Sequence, residues 1–254
     1  MPTLLLKSHA ISDVGLKRDN NEDAFRVLEK EQFFILADGM GGHNAGEVAS
    51  SRAVEYMCSA MQNFLLTPPI DLSTDDLKSH LFALVENTNL WVHHLGASDP
   101  TLFGMGTTLS SFVVYRNKII YSHVGDSRIY RFRDNQLVQL TRDQVVSSLP
   151  PLSFEEDEAT QEFDDRIQLG RKMLAQAIGT SILVAPEVGE LDAKSGDLYL
   201  ICSDGLTDCV ENETIESVLR NSTSLDDSGE ELISMAKAGG GHDNITLVLV
   251  QVVS

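Results

Sequence analysis

The sequence predicts an α+β fold in which antiparallel sheets pack together with helices outside. Three observations predict it. Short runs rich in β-branched and aromatic residues recur along the chain, turn dipeptides separate several of them by only a few residues, and two long segments carry apolar residues at three-four spacing. Their order is strands, two long helices, many strands, short helices and a last strand, which suits layered α+β packing.

The strand-like runs are residues 4–11 (LLLKSHAI), 25–29 (FRVLE), 33–37 (FFILA), 108–115 (TLSSFVVY), 118–124 (KIIYSHV), 127–132 (SRIYRF), 197–203 (DLYLICS) and 245–253 (ITLVLVQVV). Arg116-Asn117 and Asp134-Asn135 supply turn chemistry and imply antiparallel hairpins. From Asn44 to Leu66 the apolar positions are Val48, Ala49, Ala53, Met57, Ala60, Met61, Phe64 and Leu65, one face of a helix, and Asn44 with Glu47 resembles a capping box. From Ser73 to Leu95 the stripe is Leu77, Leu81, Leu84, Thr88, Trp91 and Leu95, with Ser73 as cap and Gly96 as stop. Shorter helices are expected at residues 213–220 and 230–238. Between Gln144 and Ile178 the chain opens with a Pro150-Pro151 break and carries seven acids from Glu155 to Asp165. This reads as an insert with a short helix capped by Ser153 and Glu156, or as a solvated acidic face.

Composition narrows the function. The chain has 254 residues, a length that β-rich single domains reach, and 42% hydrophobic residues, ample for a packed core. Against 38 acids stand only 19 bases, a net charge of −19, which repels a phosphate backbone and disfavours nucleic-acid binding. Cys58, Cys202 and Cys209 are too few for a disulfide scaffold and are read as reduced thiols. The opening MPTLLLKSHA is too short an apolar stretch for a signal peptide, and the longest apolar run, at residues 245–253, is half a membrane helix. The expectation is a soluble cytoplasmic protein with no membrane partner.

The informative feature is where certain acids sit. Asp38 follows FFILA and precedes Gly39; Asp204 follows LYLICS and precedes Gly205; Asp126 follows IIYSHV and one glycine. Asp243 comes after three glycines and just before the last strand, and Glu22-Asp23 leads into another. Each alone reads as a turn residue. Together they are carboxylates on rigid strand ends, with glycine nearby to admit a ligand. Gathered at one edge, they would repel one another unless protonated or neutralised by cations. An all-oxygen set favours Mg²⁺ or Mn²⁺ over zinc, for which no Cys or His pair stands at ligand spacing, and no EF-hand pattern occurs. Two such cations suit in-line displacement at phosphorus, and Arg18, four residues before Glu22, is the candidate to bind phosphate oxygens.

These residues resemble the metal-dependent protein phosphatases, the type 2C protein Ser/Thr phosphatase family, in its bacterial form. The resemblance rests on SDVGLKRDNNEDAF (12–25), DGMGGHNAGEVAS (38–50), GTT (106–108), VGDSR (124–128), CSDGLTD (202–208) and GGHDNITLVLV (240–250), six motifs in the family's order across nearly the whole chain. It implies one catalytic domain over residues 1–254, a central sandwich of two antiparallel sheets flanked by helix pairs (α-β-β-α), and a flap insert at about 144–178. It also implies a binuclear Mn²⁺/Mg²⁺ centre with a weaker third site. On it, Asp38 bridges the ions, Glu22 and the Gly39 carbonyl serve one, Asp204 and Asp243 serve the other, and Asp126 with Asp204 forms the third. Asp23 orients water, Arg18 holds the substrate phosphate, and Asn244 supports Asp243 from behind. The implied reaction is hydrolysis of phosphoserine and phosphothreonine by direct attack of a hydroxide bridging the metals. The implied partners are phosphorylated proteins, substrates of a bacterial Ser/Thr kinase, acted on by a monomer.

Three positions depart from the family pattern. Met40 occupies the place of a histidine that animal members carry, as is usual in bacteria. His43, three residues on, either takes part in proton transfer or is a loop histidine behind the site. Gln144 stands where many bacterial members have histidine, and the following SSLPPLSFEEDEATQ lacks their Gly-Ile-Thr pattern. The competing reading is a non-catalytic relative that binds phosphoproteins or regulators through the same fold. Retention of Glu22, Asp38, Asp204 and Asp243 favours the enzyme. A thiolate phosphatase is excluded because Phe64, Asp208 and Ile215, not arginine, lie six positions after the cysteines, and no P-loop is present.

Overall fold

In the computed structural model, which describes residues 4–41, 45–146 and 173–253, FFILA becomes the middle of strand β3 (Phe33–Met40) and is covered on both faces. Phe33, Ile35 and Ala37 face a layer of helices, while Phe34 and Leu36 face a second sheet. A strand buried on both sides needs no polar alternation, which is why the run reads as continuously apolar. Ile245–Val252 (β13) repeats the arrangement, with Leu247 and Leu249 toward helices and Val248 and Val250 between the sheets.

The remaining strands are β1 (Leu6–Asp13), β2 (Asp23–Leu28), β4 (Gly106–Thr107), β5 (Leu109–Tyr115), β6 (Lys118–Val124), β7 (Arg128–Arg133), β8 (Gln136–Gln139), β9 (Val145–Val146), β10 (Met173–Leu174), β11 (Glu187–Asp192) and β12 (Leu198–Cys202). One sheet has the order β1-β13-β12-β7-β8; the other is β11-β6-β5-β3-β2, with β4 also on β3. Every pairing in both is antiparallel. Helices α1 (Ala45–Leu66) and α2 (Thr74–Ser98) cover the second sheet, and α4 (Asn212–Asn221) and α5 (Leu225–Ala238) cover the first, after a single turn α3 (Asp204–Thr207). Phe112, Tyr199 and Ile201 join Phe34 and Leu36 between the sheets. The α-β-β-α sandwich expected from the resemblance is present.

Several sequence expectations need adjusting. Ser73 does cap α2: its Oγ accepts from the Asp76 N–H (3.1 Å) and Asp76 Oδ2 accepts from the Ser73 N–H (3.0 Å). Gly96 does not stop that helix, which runs on to Ser98; a side chain there would sit 3.1 Å from the Leu102 carbonyl, so glycine serves close packing. Trp91 lies outside the core stripe and stacks on Tyr56, while its neighbour Val92 is buried. The short helices begin earlier than expected, at Asn212 and Leu225. Strands β8 and β11 are sheet edges with polar, partly exposed sequences (QLVQ, EVGELD) and so carry no apolar run. The Asn44 cap, the Ser153–Glu156 cap and His43 lie outside the described residues. Among the described residues no helix is long and apolar enough to cross a membrane.

This topology brings six chain segments to one edge. The end of β3 and the start of β2 come from one sheet, and the end of β12 and the start of β13 from the other. The Gly125-Asp126-Ser127 link crosses between sheets from β6 to β7, and the residues from Val14 to Asn21 close the edge.

Candidate active site

Asp38 is the centre of that edge. Its Cα is paired across the ladder with Asp23, so two carboxylates begin as direct neighbours. The Asp38 backbone is fixed from both sides: its carbonyl accepts from the Thr108 N–H and the Thr107 hydroxyl (both 2.8 Å), and its N–H donates to Thr108 Oγ1 (2.9 Å). Thr108 Oγ1 is in turn 2.7 Å from Ser127 Oγ, so a hydroxyl pair ties the second sheet to the crossover that carries Asp126. Gly39 is required here: a Cβ would lie 2.2 Å from the Gly46 carbonyl and 2.6 Å from that of Glu22. This contact sets the first turn of α1 against Glu22.

Asn244 stitches the last strand to the first motif. Its Oδ1 accepts from the Glu22 N–H (2.8 Å), and its Nδ2 donates to the carbonyls of Val14 (3.0 Å) and Asn20 (2.9 Å). The Glu22 carbonyl accepts from the Ser50 hydroxyl and the Gly39 N–H. Asp243 accepts from the Asn244 N–H through Oδ1 (2.8 Å) and from Arg18 Nη2 through Oδ2 (2.6 Å). Gly15, with φ +80°, lets the chain turn where a Cβ would meet the Asp243 carbonyl at 2.2 Å, and Lys237 anchors the same turn through Asp13 (2.8 Å).

Arg18, Glu22, Asp38, Gly39, Asp126, Asp204 and Asp243 all line one cleft of about 630 Å³. Asp23 is placed behind it and borders a second hollow with Ser12, Asn21 and Arg26. The Ser203 hydroxyl donates to Asp23 Oδ2 (2.9 Å), while Asp23 Oδ1 is buried with no hydrogen-bond partner. Thr108, Ser127 and Ser203 fall within the sequence motifs, but nothing in the sequence signalled that their hydroxyls brace the site, and there was no signal for Met173 and Leu174 of β10, which with Met40 give the cleft an apolar wall.

The electrostatics are those of crowded like charges. Burial, reinforced by Asp23, Asp204, Asp243 and Asp126, pushes the Asp38 carboxyl well above the usual range. Burial followed by Asp126, Asp208, Asp243 and Asp23 raises Asp204 to about 8. Asp23 rises to about 6, chiefly through burial and held back by bonds from Thr246 and Ser203. Glu22 is raised by burial, partly offset by Arg18. For Arg18, burial favours the neutral form, but Asp243, Glu22 and Asp38 outweigh it.

The donors fit hard divalent cations: five carboxylates and the Gly39 carbonyl offer only oxygen, their charges are unbalanced, and Asp23 keeps one buried oxygen unsatisfied. Among the described residues no three His, Cys, Asp or Glu side chains form a closed cluster.

Comparison with known proteins agrees with this geometry. The profile of the family described as Protein phosphatase 2C matches residues 16–249. The serine/threonine protein phosphatase PstP of Mycobacterium tuberculosis is 38% identical over 252 residues, covering 99% of this chain but 46% of PstP, so the chain spans about half of that relative. Protein phosphatase PhpP of Streptococcus pneumoniae is 35% identical over 247 residues, covering 94% of this chain and 95% of PhpP. The crystal structure of the PstP catalytic domain in complex with two manganese ions has a TM-score of 0.80 at 34% identity, covering 99% of this chain and 100% of that one.

Proposed function

The chain belongs to the protein phosphatase 2C family, and from that premise we propose that the cleft hydrolyses phosphoserine and phosphothreonine in proteins. It is a serine/threonine phosphoprotein phosphatase that uses Mn²⁺ or Mg²⁺. The observation that carries this reading is the convergence of carboxylates from both sheets on one cleft with an arginine at its mouth.

Glu22, Asp38 and the Gly39 carbonyl would hold one cation, Asp38, Asp204 and Asp243 a second, and Asp126 with Asp204 a weaker third. When bound, the ions supply charge neutralisation at the phosphoryl group and make water more acidic. The protein's own contribution is positional. Thr107 and Thr108, the latter tied to Ser127, fix the Asp38 backbone, so the point from which its carboxyl projects is set before the reaction. Asp23, fixed by Ser203 behind the cleft, would be the acceptor that orients a water proton. Arg18 is exposed and spends one nitrogen on Asp243, leaving other N–H groups of its fork for phosphate oxygens. Met40, Met173 and Leu174 form the wall on which the substrate's flanking residues rest.

We read residues 1–254 as one catalytic domain with a flap-like insert at about 144–178, monomeric and cytoplasmic, opposing a bacterial Ser/Thr kinase. The net charge of −19 supports a site with no nucleic-acid role and a preference for basic surroundings of the phosphosite. The test is hydrolysis of a phosphothreonine peptide with and without Mn²⁺ by the wild type and Asp38→Asn. Metal-dependent turnover lost in the variant supports the reading; turnover indifferent to both metal and Asp38 overturns it.

A further inference from the structure

The crossover that carries Asp126 is gripped at both ends by two consecutive residues. Upstream, the Gly125 N–H donates to Gln144 Oε1 (2.9 Å), and the Gly125 carbonyl accepts from the Gln144 N–H (2.8 Å). Downstream, the Arg128 guanidinium closes a fork on Asp143, Nε to Oδ1 at 2.9 Å and Nη2 to Oδ2 at 2.7 Å. Gly125 has φ +109°, and a Cβ there would lie 2.7 Å from Thr108 Cγ2, so this backbone has little room to rearrange. Gly125, Asp126 and Ser127 are all buried. The Gln144 carbonyl also accepts from the Ala175 N–H (2.7 Å), one step beyond the β9–β10 pairing whose Met173 and Leu174 line the cleft.

We infer that Gln144 is a positioning residue: its side-chain amide pins the Gly125 N–H and thereby fixes Asp126 beside Asp204, setting how tightly the cleft holds a divalent cation there. This rests on the reading of the cleft as a cation site. The physical ground is that a buried N–H does not stay without an acceptor. Deprived of Oε1, the Gly125 N–H is left buried without an acceptor, and the strain passes to Asp126, the next residue. The Asp143–Arg128 fork holds the other end, so the displacement falls on the residue between the two grips.

The test uses the full chain and Mn²⁺ binding followed through the free-ion paramagnetic resonance signal, with Gln144→Met, Gln144→Glu, Asp126→Asn and the Gln144→Met/Asp126→Asn pair. Met keeps the shape and loses the acceptor, so the weakest Mn²⁺ site should loosen about tenfold, the size of one lost hydrogen bond. Glu keeps an oxygen at the same reach and should recover affinity to within about threefold. Asp126→Asn should loosen the same site, and the pair should bind no worse than Asp126→Asn alone, because both changes act through one carboxylate. A merely structural glutamine would lower the melting temperature and leave the losses additive. Unchanged Mn²⁺ binding in Gln144→Met, or additive losses in the pair, overturns the inference. Hydrogen exchange at the Gly125 amide judges the clamp without any cation: slow in the wild type and fast in Gln144→Met supports it, fast in both refutes it. A wild type that binds no Mn²⁺ while its Gly125 amide is protected would refute the cation reading and the proposed tuning of affinity, leaving a clamp alone.

Discussion

Strand β12 is flanked by two aspartates that met opposite fates. Asp197, just before its first residue, is 1% exposed and receives the Arg133 fork (2.5 and 2.6 Å), the Tyr199 hydroxyl (2.9 Å) and the Lys194 N–H (2.8 Å). Burial pushes its carboxyl up, but Arg133 and these donors hold it below the usual range. Asp204, beyond the other end, feels burial and then the carboxylates of Asp126, Asp208, Asp243 and Asp23, and rises to about 8. Residue type and strand are the same; the counter-charge differs. A buried carboxylate answered by a protein cation is a brace, and one answered by more carboxylates is a place for a cation from solution.

The sharpest way to break this contrast is at the crowded end. Asp38→Asn should lower Mn²⁺-dependent hydrolysis of a phosphothreonine peptide by about a hundred- to a thousandfold, the range seen when one preorganised electrostatic group is removed. Cation-free stability should hold or rise, because one repelling charge is gone. Assay and thermal unfolding of the same preparation check both halves. A variant that keeps its activity, or one inactive because it is unfolded, removes the distinction.

The braced end should respond in the opposite currency. Arg133→Met leaves Asp197 buried without its counter-charge, and the protein should lose about 3 kcal/mol of stability in urea unfolding. Turnover per folded molecule should stay at the wild-type value, since Arg133 lies at the far end of the strand from the cleft. A fall in turnover without a fall in stability would mean that the two ends are coupled.

The pH dependence separates them again. Asp204 titrates near 8 when folded and near 3.9 when unfolded, so between those values the folded state binds more protons and stability falls as pH rises. Asp23, at about 6, adds to the fall over the lower part of that window. Asp197 has the reverse sign: its depressed value contributes stability above about pH 4 that is lost as acid is added. With chelator present, the melting temperature should drop on the order of 5 °C from pH 5 to pH 8, and millimolar Mn²⁺ should cancel the drop. A chelated melting temperature that is flat or rises over this range contradicts the account of Asp204.

What could be read in the sequence follows from the same physics. FFILA and ITLVLVQVV are legible because burial on both faces leaves no freedom for polar residues, and the acids beside them stand out as charges at the end of such runs. Strands β8 and β11 are not, because an edge strand is half solvated and its sequence looks like loop. The stripe of α2 differs at Trp91: three-four spacing carries the stripe through it, but the buried position is the adjacent Val92. In the site, the carboxylates and Arg18 were legible as chemistry; Thr108, Ser127 and Ser203 lie in the motifs, but their bracing role was not legible, since a hydroxyl bond to a site residue has no spacing rule. Met173 and Leu174 reach the cleft only through tertiary packing, which no local pattern encodes.

Arg18 gives the finest test, because among the described residues lining the cleft it is the one cation. It lies 2.6 Å from Asp243 and is half exposed, so this pair contributes little to stability, within about 1 kcal/mol. Its fork is the group suited to phosphate oxygens, and a phosphate held equally before and during the reaction affects binding more than turnover. Arg18→Ala should therefore raise KM for a phosphopeptide about tenfold and leave kcat within about threefold. Mn²⁺ affinity should hold or improve, because Asp243 loses a competitor for its Oδ2. Steady-state kinetics at saturating Mn²⁺, with a separate Mn²⁺ titration, distinguish the outcomes. If KM stays fixed while Mn²⁺ affinity collapses, Arg18 serves to hold Asp243 in place, and the arginine at the mouth is a brace like Arg133 rather than a hand for substrate.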